Sequence, residues 1–130
     1  NSRIKFRESF RPYACSVLQD KVSLYFQVQD SFQSPYMSFT VPIKSSYLET
    51  FKEVCHIDHT SRLQTVMREQ NTNYYDLIKE VGNISGIYAL LNTSLNIMGQ
   101  PIVEDLNDLK LFFDKSNVDA IAVGDFYIEK

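Results

Sequence analysis

Three stretches of this 130-residue chain concentrate side chains able to do chemistry. The first is Arg3-Ile4-Lys5-Phe6-Arg7-Glu8-Ser9-Phe10-Arg11-Pro12. Read as a strand, it sets Arg3, Lys5 and Arg7 along one face at roughly 7 Å steps, with Ile4 and Phe6 turned to the core. Cations sharing a face repel one another unless an anion lies across them. Phosphate or pyrophosphate suits that place, because guanidinium groups bind it through paired hydrogen bonds. The same pattern also describes an ordinary solvated strand face.

The second stretch, His56-Ile57-Asp58-His59-Thr60-Ser61-Arg62-Leu63-Gln64-Thr65, puts His56, Asp58, Thr60, Arg62 and Gln64 on one side at a period of two. That mixture of donors and acceptors can orient a ligand with both anionic and amide character. The alternatives are a metal site at His56, Asp58 and His59, or a polar loop that satisfies its own backbone. The third stretch, Leu91-Asn92-Thr93-Ser94-Leu95-Asn96-Ile97-Met98-Gly99-Gln100-Pro101, follows the most apolar run of the chain. Small polar residues and a glycine after a strand commonly build ligand sites in open α/β sheets. Asn92, Ser94 and Asn96 can present amides and a hydroxyl to a carbamoyl group or a phosphate; an Asx/Ser-rich turn would look the same.

A length of 130 residues with 44% hydrophobic side chains suits one domain with a real core, residues 1–130 being read as a single domain. No apolar run approaches the ~18 residues that span a bilayer, and the first residues are polar and basic rather than a secretion signal, so a cytoplasmic location is expected. The net charge of -3 argues against a general nucleic-acid binder. Cations crowd the start (Arg3, Lys5, Arg7, Arg11), whereas Glu104, Asp105, Asp108, Asp114 and Asp119 gather late. A local cationic site on an acidic protein points to a small anionic ligand. Cys15 and Cys55 have no metal-site spacing; they read as reduced thiols, with a disulfide left open.

These residues need elements to hold them. Tyr13–Leu18 reads as a buried strand. Residues 16–26 pass into a helix-like or loop-like segment with Val17, Val22 and Phe26 as core. Tyr36–Ile43 alternates with Met37, Phe39, Val41 and Ile43 on one side, and Pro42 marks an edge strand. Asn73–Val81 is a helix with caps at Asn71 to Asn73, an apolar face of Tyr74, Leu77, Ile78 and Val81, and Gly82 just past its end. Ile87–Leu91 is a strand. Asp105–Ser116 is a helix with Leu106, Leu109, Phe112 and Phe113 inward. Val118–Val123 and Phe126–Ile128 close the chain as strands. Helices alternating with apolar strands indicate an α/β or α+β domain.

In order along the chain, the motifs resemble the C-terminal region of O-carbamoyltransferases of the NodU/CmcH type. Ile4-Lys5-Phe6-Arg7-Glu8-Ser9-Phe10-Arg11-Pro12-Tyr13-Ala14 resembles the family's K-x-R-E-x-F-R-P-F-A stretch. His56 to Val66 is similar to H-V-D-G-T-A-R-x-Q-T-V, and Leu90 to Val103 to L-L-N-T-S-F-N-x-x-G-E-P-I-V. Asp119 to Phe126 is similar to the family's closing strand. The resemblance implies a YrdC-like twisted sheet with flanking helices around a cationic cavity. It also implies truncation at the start, since the family's preceding R-A-L-G-x-R-S stretch is missing.

Its implied activity is the formation of carbamoyl-adenylate from carbamoyl phosphate and ATP, with Mg2+ accompanying the nucleotide. The carbamoyl group would pass to a hydroxyl acceptor in an actin-like ATPase-fold domain of the full-length chain, where iron or another divalent metal would sit. Carried over position by position, Lys5 and Arg7 hold phosphates, Arg11 does the same or braces the sheet, and Ser94 and Asn96 match the serine–asparagine pair of YrdC-like nucleotide sites. His56, Asp58, Thr60 and Arg62 match the middle motif, and Asn92 the third. The resulting expectation makes Lys5, Arg7, His56, Asp58 and Arg62 catalytic, and Arg11, Thr60, Asn92, Ser94 and Asn96 substrate- or nucleotide-binding. His59 stands where the family has glycine, so a tight turn is altered; Gln100 replaces a glutamate and removes a negative charge. Other readings of the same residues are a non-catalytic nucleotide-, anion- or RNA-binding module, or a domain that merely docks onto the ATPase-fold partner.

Overall fold

The computed structural model describes residues 4–6, 8 and 10–130. Its class is α+β, and the chain divides into two compact units, Pro12–Thr93 and Asn1–Arg11 with Ser94–Lys130.

The unit Pro12–Thr93 is built on a four-stranded sheet. β1 (Ala14–Leu18), β2 (Phe39–Pro42), β3 (Thr60–Val66) and β4 (Ala89–Asn92) lie in the order β2-β3-β1-β4. β1 runs parallel to β3, and the other two pairs are antiparallel. The apolar run of β1 is buried at every residue, as a central strand covered on both faces requires. Pro42 lacks a backbone N–H and falls on the edge strand, as expected.

One face of the sheet carries the main core. Cys15, Val17, Val41 and Leu63 pack there against Val22, Tyr25, Phe26, Phe51 and Val54. Val22 and Tyr25 belong to the one-turn helix α1 (Val22–Tyr25). The Tyr25 ring meets Tyr47 edge-on at 5.1 Å and Phe51 at 5.3 Å. Phe39, expected inward, is exposed near the end of the edge strand. Both thiols are free, and burial pushes that of Cys15 up to about 12.

The opposite face is covered at one end by α2 (Thr72–Ser85), where Ile78 packs on Leu18 and Val66 with Tyr74, Tyr88 and Leu90 alongside. Asn71 caps α2 by accepting a hydrogen bond from the Tyr74 N–H at 3.0 Å. The helix runs one turn beyond the sequence expectation. Gly82 lies inside it, and a Cβ there would sit 2.1 Å from Cδ1 of Tyr88. The glycine is a packing notch for that ring, and Gly86, with φ of 78°, provides the left-handed cap. Leu77 points to solvent rather than to the core.

In the other unit, α3 (Leu106–Lys115) starts at Asp105, whose carboxylate accepts from the N–H groups of Asn107 and Asp108 at 2.8 and 2.9 Å. Leu109 and Phe112 are its buried residues, whereas Leu106, expected inward, is 71% exposed. β5 (Ala120–Val123) and β6 (Phe126–Glu129) form an antiparallel hairpin, with Gly124 at φ of 54° in its turn. The strand expected at the amino end is not formed by the described residues: Ile4 and Lys5 lie in a turn. Burial is the reverse of the strand reading, with Lys5 only 4% exposed and Phe6 44%.

Candidate functional site

Alternation along β3 creates the first polar group. Ser61, Leu63 and Thr65 are buried toward the main core, so Thr60, Arg62 and Gln64 share the other face. Ser16 on β1 stands opposite Gln64 in register, and opposite Leu90 on β4; Asn92 stands opposite Ala14. Cross-strand partners in register project to one side. This face therefore carries Ser16, Thr60, Arg62, Gln64 and Asn92, with Tyr74 of α2 beside Ser16 and Gln64.

Three of these side chains form a closed network. The Ser16 hydroxyl donates to Gln64 Oε1 at 2.7 Å, and Asn92 Nδ2 donates both to Ser16 Oγ and to Gln64 Oε1 at 2.8 Å. Gln64 Nε2 donates to the Pro35 carbonyl at 3.1 Å. Ser16 is fully buried, while Gln64 and Asn92 are half-buried. Beside Gln64 lies a cavity of 250 Å³ lined by Pro35, Tyr36, Gln70, Asn71 and Tyr74 among others. Burial raises the pKa of the Tyr74 phenol, against the smaller opposing pull of the Ser16 hydroxyl, so that ring stays a neutral donor at physiological pH.

His56 and Asp58 do not continue β3. They make the turn leading into it. Asp58 Oδ1 accepts from the Thr60 N–H at 3.1 Å and from the Thr60 hydroxyl at 2.7 Å, and His56 Nδ1 lies 3.0 Å from Thr60 Oγ1. The Thr60 hydroxyl and N–H hold the Asp58 carboxyl below the usual range. His59, at the position where a glycine was expected, has φ of 63°. The left-handed turn is thus retained with a side chain that pays for it in strain. The expectation of one continuous polar face from His56 to Gln64 is corrected to a turn followed by a strand face starting at Thr60. Among the described residues no three His, Cys, Asp or Glu side chains gather as a metal site.

The second polar group belongs to the unit of Asn1–Arg11 and Ser94–Lys130. Lys5 Nζ donates to Asn96 Oδ1 at 2.6 Å, to the Ser94 carbonyl at 2.5 Å and to Ser94 Oγ at 3.3 Å. Ser94 Oγ in turn donates to Asn96 Oδ1 at 2.7 Å, and Asn96 Nδ2 to the Gln100 carbonyl at 2.9 Å. Backbone bonds from Met98 N to the Lys5 carbonyl and from Val103 N to the Leu95 carbonyl tie the loop down. A buried ammonium needs acceptors for its three protons, and these oxygens supply them. Arg11 is exposed and lies 3.7 Å from Glu8. Arg7 and Arg3 lie outside the described residues.

The structure thus brings Lys5 to Ser94 and Asn96, and separately brings Thr60, Arg62 and Asn92 onto one sheet face. Ser16 and Gln64 complete that face. Gln64 was legible by alternation, and the signal for Ser16 was a hydroxyl inside an otherwise apolar strand.

A family model described as carbamoyltransferase C-terminus matches residues 1–130. Among curated relatives, nodulation protein NolNO of Sinorhizobium fredii is 38% identical over the whole of this chain, which covers 19% of that protein. Nodulation protein NolO of Bradyrhizobium diazoefficiens is 36% identical, again over the whole chain and 24% of the relative. The 3'-hydroxymethylcephem-O-carbamoyltransferase of Amycolatopsis lactamdurans is 28% identical over 99% of the chain and 24% of the relative. The chain therefore spans only about a fifth to a quarter of the length of these relatives. Matched from its first residue to its last, the chain belongs to the carbamoyltransferase C-terminal family.

Proposed function

We propose that the chain is the part of an O-carbamoyltransferase that binds carbamoyl phosphate and ATP and forms carbamoyl-adenylate, water taking the phosphate off as inorganic phosphate and the freed carbamate oxygen displacing pyrophosphate from ATP. The carbamoyl group then passes to a hydroxyl acceptor in an actin-like ATPase-fold domain of the same full-length protein. The observation that carries this reading is the Lys5 ammonium anchored on Ser94 and Asn96 in a chain matched throughout by the family. The turn fixes the place of the Lys5 Nζ through Ser94 and Asn96. A phosphate arriving there meets charge that needs no reorganisation, which is the condition for strong electrostatic stabilisation.

Each further residue has a role in this reading. Arg62, Thr60 and Asn92 hold the substrate on the sheet face, His56 and Asp58 set the turn that positions Thr60, and Arg7 and Arg11 add positive charge for phosphate. Magnesium fits as the companion of ATP, since it is held chiefly by phosphate oxygens and water. Iron or another divalent metal belongs to the ATPase-fold domain.

The test uses the full-length protein with ATP and carbamoyl phosphate, reading pyrophosphate release. Lys5→Ala lowers kcat/KM by about 100-fold, the scale for loss of one preorganised electrostatic group. Binding of RNA that weakens with salt and is not displaced by ATP, without pyrophosphate release, would favour a non-catalytic module instead.

A further inference from the structure

The Ser16–Gln64–Asn92 network has a fixed polarity, and the polarity follows from one backbone group. The Pro35 carbonyl can only accept, so the Gln64 amide must turn its Nε2 toward it. Gln64 Oε1 then faces inward and needs donors. The two groups within reach are the Ser16 hydroxyl at 2.7 Å and the Asn92 amide at 2.8 Å. Reversing Asn92 would set its oxygen against Gln64 Oε1, acceptor against acceptor. Asn92 must therefore spend both Nδ2 protons inside the network, one on Ser16 Oγ and one on Gln64 Oε1. Its Oδ1 is left facing out of the network, where it takes no donor among the described residues. A proline carbonyl thus dictates, through two side chains, that this end of the sheet face shows a hydrogen-bond acceptor.

Given the reading of the chain as a carbamoyl phosphate site, on which this step rests, we propose that Asn92 Oδ1 is the specificity-determining group that accepts an N–H of the carbamoyl moiety. Ser16 and Gln64 act as positioning residues that hold the Asn92 amide in that orientation. Carbamoyl phosphate and acetyl phosphate share shape and charge but differ at one position, NH2 against CH3. An outward-facing amide oxygen rejects the methyl group, because binding it desolvates the acceptor without giving it a partner. Arg62 on the same face provides charge for the phosphate of either compound and does not discriminate between them.

The experiment measures binding of carbamoyl phosphate and of acetyl phosphate to the full-length protein by calorimetry, with pyrophosphate release recorded in parallel. Wild-type protein prefers carbamoyl phosphate. Asn92→Leu reduces that preference by about 10- to 100-fold, the range for one hydrogen bond in a desolvated site, with carbamoyl phosphate binding more weakly and acetyl phosphate at least as tightly as before. Asn92→Asp sets a carboxylate oxygen against Gln64 Oε1, acceptor against acceptor, so the held orientation and with it the preference are lost, while the added negative charge weakens both ligands. Ser16→Ala, which removes one of the two holds on Asn92, lowers the preference by less than Asn92→Leu does. A merely structural role for the network predicts that both ligands weaken in parallel in Asn92→Leu and Ser16→Ala; that result, or an unchanged preference in Asn92→Leu, overturns the inference. Pyrophosphate release by wild-type protein without discrimination between the two phosphates sinks this inference alone. Absence of both binding and pyrophosphate release sinks the underlying reading as well.

Discussion

The two units hold their polar groups on opposite kinds of support. In Pro12–Thr93, Ser16, Gln64 and Asn92 are mounted on three hydrogen-bonded strands backed by a core that includes Tyr25, Phe26 and Leu63. In the other unit, Ser94 and Asn96 sit on a loop, and one lysine and a few backbone bonds fix them. Among the described residues, Leu109 and Phe112 are the only buried apolar side chains of that unit, while Leu106, Phe126 and Tyr127 are largely exposed.

The comparison breaks first in the cores. Leu63→Ala empties a fully buried site on a central strand and costs about 2–5 kcal/mol, depending on how far the surroundings collapse. Leu106→Ala changes an exposed helix residue and stays within about 0.5 kcal/mol. Urea denaturation of the two variants reads both. Equal losses would mean that the two units are not packed as differently as their burial implies.

A smaller effect comes from Gly82→Ala. The new Cβ would have to displace the Tyr88 ring, at an overpacking cost of about 1–3 kcal/mol, although alanine is the better helix former. Gly82→Ala combined with Tyr88→Ala recovers part of that loss in a double-mutant cycle. Additive losses would show that the ring is not the obstacle.

Gly82 also marks where sequence reasoning stopped. A glycine near the end of an apolar helical pattern reads as its stop signal, and only the placed Tyr88 ring reveals a packing notch, with the stop four residues later at Gly86. The strands were legible because burial on both faces leaves an unbroken apolar run, as in Ala14–Leu18, and because an edge tolerates Pro42. The amino-end basic stretch was not. Alternating Arg and Lys fit a strand, but the described part is a turn, and Lys5 is buried because three distant oxygens accept its protons. Contacts between positions some ninety residues apart leave no local period. For the candidate site, residue types were legible from the motifs. The polarity of the Ser16–Gln64–Asn92 network was not, because it depends on the Pro35 carbonyl, a group every residue has.

The turn before β3 offers a gain rather than a loss. His59 occupies the left-handed region at φ of 63°, so His59→Gly relieves steric strain while adding chain entropy to the unfolded state. The net expectation is stabilisation of about 0.5–1 kcal/mol, read as a higher urea midpoint. A lower midpoint would show that the His59 side chain contributes more than its backbone strain costs.

The finest distinction is in acid, where a carboxylate in each unit accepts backbone N–H bonds that hold a turn. The backbone N–H groups of Asp108 and Asn107 hold Asp105 below the ordinary carboxylate range, and the Thr60 hydroxyl and N–H do the same for Asp58. A carboxyl depressed in the folded state stays ionised there while its unfolded counterpart, near about 3.9, takes up a proton. Its contribution is therefore complete above that pH and is lost as the pH falls through the folded value. Asn is as good an N-cap as Asp, so Asp105→Asn leaves stability at pH 7 almost unchanged and flattens the decline between about pH 5 and 3. Asp58→Asn acts in the same direction in its own unit. Hydrogen exchange followed residue by residue across that pH range assigns each loss. Exchange that quickens in acid around α3 in wild-type protein and much less in Asp105→Asn ties the effect to the cap, whereas equal quickening in both would place the acid sensitivity of that unit elsewhere.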